Sequence, residues 1–466
     1  MSVDNIWDAS TDTDGNTAAN WSLNRVPIVG DIAVYDSATT DADCTFSGNF
    51  SCDGMRFDNA YAGTVDPVTH DPTLGTSGLD GTGGASATVN CGTGSVWTVS
   101  GDFDNADIGT WNWETSHFIL DATADFITHY RKGFYDLTLS GAITVHSSYI
   151  GPRVYHALDV SGLLNINQSL NWPFDVRNGA ATATISGTVT GIGQLRFVFG
   201  AKLISLTGTI DCAQTMFYMS NNRSDLWPTC QIDSALTKIQ IYGANKTLTP
   251  GARTLTCTGN LLFNNSKPDG SPCTIDNSVS NPSFVVHGDV TVDETRGPFN
   301  YTKGGGTFTF GGGNDQSIDL NGWTIEDVVS DKTGGTVTLA DAFTADSFTG
   351  TAGTLDPNGQ TVTTVGACDW VSGFDFLNAA DAMNGCSWIV GGAFSADSQT
   401  LQATAGWTLT VTGTAIATGV DVEHSDASGG SRIIANDSTN TDSGNNSHWV
   451  FTHATHYYET LLAGVA

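Results

Sequence analysis

Carboxylates are the first residues to weigh for chemistry, because the chain carries 43 Asp and five Glu among 466 residues. Glycoside cleavage needs two carboxyl groups about 5–9 Å apart across a groove. The best placed pair is Asp225, beside Arg223 and Trp227 in QTMFYMSNNRSDLWPTCQIDSAL, and Glu294. An acid, a cation and an aromatic ring in one segment are what a sugar site requires, and an ordered surface loop with an Arg–Asp pair fits the same residues. Trp111 and Trp113 alternate in TWNWETSHF, as an outward carbohydrate platform or as a core strand face. Asp12 and Asp14 in DTDGN resemble the start of a calcium loop, but no acidic residue closes it where an EF-hand needs one, so Ca²⁺ is the single cofactor that the sequence suggests, if any. His448, His453 and His456 cluster near the C-terminus, and His453 is the one to test as a metal ligand on an oligomer axis. No GxSxG elbow, GxxxxGKS loop, HExxH helix or CxxC pair is present.

These residues must be positioned by strands. Glycine numbers 54, about 12% against a usual ~7%, and charged residues are 14% against a usual ~25%. No long segment has a 3.6-residue apolar period, whereas short alternating segments closed by Gly, Asn or Asp recur. The chain reads as all-β.

A corner motif repeats: apolar, x, apolar, small or polar, Gly, x, apolar, x, apolar. It is clean in LTLSGAITV (137–145), LDVSGLLNI (158–166), ISLTGTIDC (204–212), LTCTGNLLF (255–263), FVVHGDVTV (284–292) and WIVGGAFSA (388–396). Gly141 to Gly162, Gly187 to Gly208 and Gly392 to Gly413 are each 21 residues apart. Apolar residues share the parity of the central Gly, so two strands meet at an inward corner where glycine permits a positive φ and close backbone approach. A unit of this size cannot bury its apolar face alone, but stacked units share a core. The spacing therefore predicts a parallel β-helix of roughly a dozen to sixteen rungs, with neighbouring rungs ~4.8 Å apart. Its parts are an N-terminal cap over 1–43, a rod over 44–420 with loops bulging near 54–90 and 214–236, and a C-terminal cap or oligomerisation element over 421–466.

Cys44, Cys52, Cys212 and Cys257 fall on inward positions. Core stacking is the simplest account of them, and Cys212/Cys230, Cys257/Cys273 and Cys368/Cys386 are spaced near one rung for disulfides.

The net charge of −31 disfavours nucleic acid and anionic membrane surfaces as partners. MSVDNIWDAS has neither the basic n-region nor the apolar run of a signal peptide, an expectation that suits a virion component.

Gly304–Val365 resembles the β-helix repeat of bacterial adhesin-like surface proteins and phage virion proteins, in Thr307–Ile318, Gly334–Leu339 and Phe348–Thr363. Ala19–Ser22 with Val26-Pro27 and Gly30-Asp31 is similar to the start of such proteins, and His424–Gly430 with Asp442–Phe451 to a closing motif of phage-encoded members. The resemblance implies a non-enzymatic structural or adhesive protein on a virion surface, as capsid decoration or tail appendage, homotrimeric, contacting capsid or tail proteins and host glycans. It leaves open a tailspike-like polysaccharide depolymerase and a bacterial surface adhesin.

Overall fold

The structure is a computed structural model that describes residues 2–129, 132–146, 151–171, 173–177, 181–198, 200–242, 244–266, 269–377, 381 and 383–451. It is all-β, a parallel β-solenoid of about 19 turns. One 3₁₀ turn, Ala18–Asn20, is the helical element among the described residues. Two units divide the chain, Met1–Asn221 with Asp225–Gln240, and Asn222–Ser224 with Ile241–Ala466.

In the first unit each full turn lays a strand on each of three ladders. The alternation read from the sequence places every second side chain inside. One inward column runs Trp97, Phe118, Leu137, Leu158, Ala183, Leu203 through successive parallel pairings. A second runs Ile143, Leu164, Val189, Ile210. The third, Phe134, Val154, Val176, Phe197, Phe217, lies on the ladder that matters most below. All of these side chains are buried. The second unit repeats the device, with Leu255, Phe284, Phe308, Val328, Phe348, Cys368, Phe394 and Ala415 in one inward column.

The corner glycines stack, and of the two reasons expected, positive φ and close backbone approach, the second is the one that applies. Gly141, Gly162, Gly187 and Gly208 are not in the left-handed region. A Cβ on each would instead run into the carbonyl oxygen of Ala122, Gly141, Gly162 and Gly187 of the preceding turn. Close stacking of backbone on backbone therefore selects glycine here. Each corner also directs two N–H groups onto one carbonyl: Ser161 N and Gly162 N both donate to Leu139 O, at 3.0 Å each, and Ser186 N and Gly187 N to Val160 O, at 2.8 and 2.9 Å.

Turn number and loops differ from the sequence expectation together. Segment 54–90 is not a bulge: Phe50–Asp58, Thr64–Asp66, Pro72–Asp80 and Thr88–Asn90 are strands of the ladders. Segment 214–236 likewise contains the end of Thr209–Met219, then Arg223–Ser224, Cys230–Ile232 and the start of Leu236–Ile241. Their Gly, Asp and Thr residues lie within these strands as well as at the corners between them, so these stretches form turns of the solenoid and raise the count.

At the N-terminus Val3–Ile6 already pairs in parallel with Asp31–Asp36, which pairs with Phe50–Asp58. Trp7 and Trp21 close the end of the core, edge to face at 5.2 Å, with their indole N–H groups donated to Ala42 O and Gly15 O. At the other end Ile433–Ala435 pairs with Trp449–Phe451, so the described part of 421–466 continues the turns.

All nine cysteines are buried, and none is joined in a disulfide. The spacings of 16–18 fall short of a full turn, and Cys257 and Cys273 accordingly lie on different ladders. Burial pushes the Cys52, Cys230, Cys273 and Cys386 thiols up to about 12, the state of an inert core residue.

Candidate functional site

The residues singled out from the sequence separate into buried, engaged and outward-facing groups. Trp227 is buried, its ring 5.1 Å from Phe217, because Leu226 is drawn into the ladder by a hydrogen bond from Leu203 N to its carbonyl at 3.0 Å. Trp111 is buried too: it meets Phe103 edge-on at 5.9 Å and donates its indole N–H to Gly133 O at 3.1 Å. Neither ring is a surface platform. Each sits at an inward position of the alternation, where a large apolar side chain contributes most.

Asp12 and Asp14 spend their oxygens on their own turn and on Ser47. Asp12 Oδ1 accepts from Asp14 N at 2.9 Å and Asn20 Nδ2 at 2.5 Å. Asp14 accepts from Asn16 N at 2.9 Å, Ser47 N at 3.2 Å and Ser47 Oγ at 2.6 Å. Burial opposes the Asp14 charge, but these bonds outweigh it and hold the carboxyl below the ordinary value. Among the described residues no group of three or more His, Cys, Asp or Glu is disposed to hold a metal ion, and His453 lies outside them.

Glu294, in the second unit, ties a turn: its carboxylate accepts from Phe299 N at 2.7 Å and Asn321 Nδ2 at 2.6 Å. Asp225, in the first unit, is exposed with φ +55°. Arg223 lines an open hollow of about 340 Å³ with Asn222, Ser224, Thr247 and Thr249.

Trp113 is the aromatic sequence candidate that the fold brings to the surface. Strand Thr110–Asn112 ends just before it, and Glu114 at φ +43° turns the chain, so Trp113 leaves the inward parity of Trp111. Its half-exposed ring lies parallel to Tyr155, centroids 4.7 Å apart and planes 4° apart, with Tyr135 at 6.2 Å and 17°. Tyr135 in turn stacks on His156 at 4.5 Å, and His156 Nδ1 is 2.7 Å from Asp136 Oδ1. Two local features allow this. A bulge sets Tyr135 opposite both Tyr155 and His156, between the pairs Phe134/Val154 and Asp136/Ala157. Gly133 leaves open the space through which the Tyr155 ring passes, space that a Cβ would fill.

On the same ladder, Arg153 precedes Tyr155 by two residues, and the next turn presents Asp175. Its carboxylate is fully buried beneath three arginines. Arg196 grips both oxygens, Nε to Oδ1 at 2.7 Å and Nη2 to Oδ2 at 2.9 Å, and Arg177 Nε donates to Oδ2 at 2.8 Å. Arg153 Nε stands at 3.8 Å, and Arg196 lies over the Tyr218 ring at 5.9 Å. The outer surface of this ladder is thus an aromatic strip running into an arginine cluster.

Sequence reasoning missed Tyr135, Tyr155, His156 and the Arg153–Asp175–Arg177–Arg196 group. Their signal was there: Trp113, Tyr135 and Tyr155 are spaced by 22 and 20 residues, and Arg153, Asp175 and Arg196 by 22 and 21. The turn period had been sought in inward apolar residues and glycines, not in outward polar ones. Comparison with family models, with curated proteins and with solved structures gives no match.

Proposed function

We propose that this chain is a structural and adhesive β-helical protein of a virion surface, a homotrimer seated on capsid or tail proteins, that holds host-surface glycans without cleaving them. The solenoid supplies a stable scaffold, and the motifs in Gly304–Val365 and the two terminal segments support the virion setting. The observation that carries the glycan part is the outward stack of Trp113, Tyr135, Tyr155 and His156. Half-exposed aromatic rings on a strand face mark interaction surfaces. Flat rings with polar edges match pyranose sugars, which present C–H groups on their faces and hydroxyls on their rims.

A glycan array probed with the labelled protein tests this reading. Retention of a subset of glycans is expected, falling by about tenfold in the Trp113→Ala/Tyr155→Ala variant, the order of loss expected for a truncated aromatic anchor. An array on which the wild type retains nothing overturns the adhesive reading.

A further inference from the structure

We propose that a hollow near the N-terminal end of the first unit binds an acetamido sugar, with Phe46 and Val68 against its methyl group and Asp14, Thr45 and His70 on its amide and ring hydroxyls. The hollow shares no residue with the aromatic stack. That a sugar carries the acetamido group rests on the adhesive reading.

Shape is the first argument. The hollow measures about 460 Å³, within the range of small-molecule sites, and its walls come from segments 13–14, 45–47 and 68–70. Parallel pairing of Asp14 with Thr45, and of Thr45 with Asp66, stacks these segments as successive turns.

The backbone at its rim is the second. Among the described residues Val68 is the one β-branched residue with a left-handed backbone, at φ +60°. Its branched side chain makes that conformation costly, and glycine or asparagine would hold the same turn with less strain. The turn itself is fixed by backbone groups, Val68 N donating to Asp66 Oδ1 at 2.7 Å and Thr93 N to Val68 O at 3.0 Å. Valine thus brings no advantage to the backbone. What it adds is an exposed isopropyl group facing the hollow. Phe46, packed on Phe50 at 4.5 Å, supplies a second apolar surface there.

Unused polar groups are the third. The Asp14 carboxylate accepts three bonds, from Asn16 N, Ser47 N and Ser47 Oγ, of the roughly four its oxygens can take. It keeps room for one N–H. The hydroxyls of Thr13 and Thr45 and the imidazole of His70 make no hydrogen bond among the described residues, although all three line the hollow. An acetamido group calls for this set: an acceptor for its N–H, a donor for its carbonyl and an apolar contact for its methyl. A plain hexose offers no methyl to Val68 and no amide to Asp14.

The test is titration calorimetry of the full chain with the methyl glycosides of N-acetylglucosamine and N-acetylgalactosamine, each compared with the parent hexose glycoside. At least one acetamido glycoside is expected to bind about tenfold more tightly than its parent, the order of one hydrogen bond with one buried methyl group. Val68→Gly is expected to weaken that binding about tenfold while keeping the circular-dichroism signature of the wild type, because glycine adopts a positive φ freely. His70→Ala is expected to weaken it as well, and carries the comparison alone should Val68→Gly lose that signature. The Trp113→Ala/Tyr155→Ala variant is expected to bind the acetamido glycoside as the wild type does. Equal measurable affinity for acetamido and parent glycosides overturns the inference while the adhesive reading stands. Undiminished binding by both Val68→Gly and His70→Ala does the same. If neither acetamido glycoside binds, a wild type that retains other glycans on the array overturns this inference alone, and one that retains none overturns both.

Discussion

Asp175 in the first unit and Glu326 in the second are both buried carboxyl groups, and they are satisfied by opposite means. Asp175 is covered by guanidinium groups whose outer edges reach solvent. Glu326, 1% exposed, is met by neutral donors alone among its described partners: Asn277 Nδ2 at 2.8 Å, Gly304 N at 2.9 Å and Tyr301 Oη at 2.7 Å. Tyr301 also stacks on Trp323 at 4.6 Å, which closes the second arrangement into the core. The Glu326 cluster is finished: every contact is used to join turns. The guanidinium groups over Asp175 keep edges in solvent, and that exposure separates this outer surface from an internal brace.

The contrast is broken most directly by removing each carboxyl group. Glu326→Ala strands three donors in a buried site that water enters poorly, at about 1–3 kcal/mol for each group left unpaired, so a total loss of at least about 3 kcal/mol is expected. Asp175→Ala frees arginines that rehydrate through their exposed edges, and a smaller loss, about 1–3 kcal/mol, is expected. Urea unfolding followed by circular dichroism measures both. If Asp175→Ala is the costlier change, the arginines serve chiefly to bury the carboxylate and the division between brace and outer surface fails.

Alkaline pH sharpens the same contrast. Burial, then the charge of Glu326 and its hydrogen bond, push the Tyr301 hydroxyl well above its ordinary value of 10.0. The folded chain therefore keeps this proton where the unfolded chain releases it. The stabilisation is fully present below pH 10 and declines as pH rises above it. Tyr301→Phe is expected to flatten part of the fall in melting temperature between about pH 10 and pH 11, leaving a residue from Tyr35, whose hydroxyl burial also raises. An unchanged slope in Tyr301→Phe shows that the Glu326 cluster does not titrate with folding.

What was legible in the sequence follows from the same physics. Inward positions obey a strict rule, alternation with a glycine at the corner, so the parallel β-helix and the burial of Cys44, Cys52, Cys212 and Cys257 were readable from residue types alone. The corner glycine was recognised with two causes, positive φ and close backbone approach, and the second holds; which carbonyl approaches was not readable, because it comes from the preceding turn, about 21 residues away and outside a local window. Outward positions obey no such rule. Trp113 shares its parity with Trp111, and only the turn at Glu114 sends one ring out and the other in. Tyr155 reaches Trp113 across an intervening turn because Gly133 lacks a side chain, and nothing adjacent to Trp113 in sequence announces that.

The smallest expected effect concerns the outlying arginine. Arg196 makes two hydrogen bonds to Asp175, whereas Arg153 Nε is 3.8 Å away. Arg196→Gln removes the two-pronged contact to a buried carboxylate and is expected to cost about 2–3 kcal/mol, in the range for hydrogen bonds to charged groups. Arg153→Gln removes a loose ion pair in a partly exposed position, for which less than about 1 kcal/mol is expected. The two substitutions delete the same charge from the same cluster, so the difference between their unfolding midpoints in urea isolates geometry from net charge. A stability loss from Arg153→Gln equal to that from Arg196→Gln makes the third arginine as much a part of the brace as the one that grips both carboxylate oxygens.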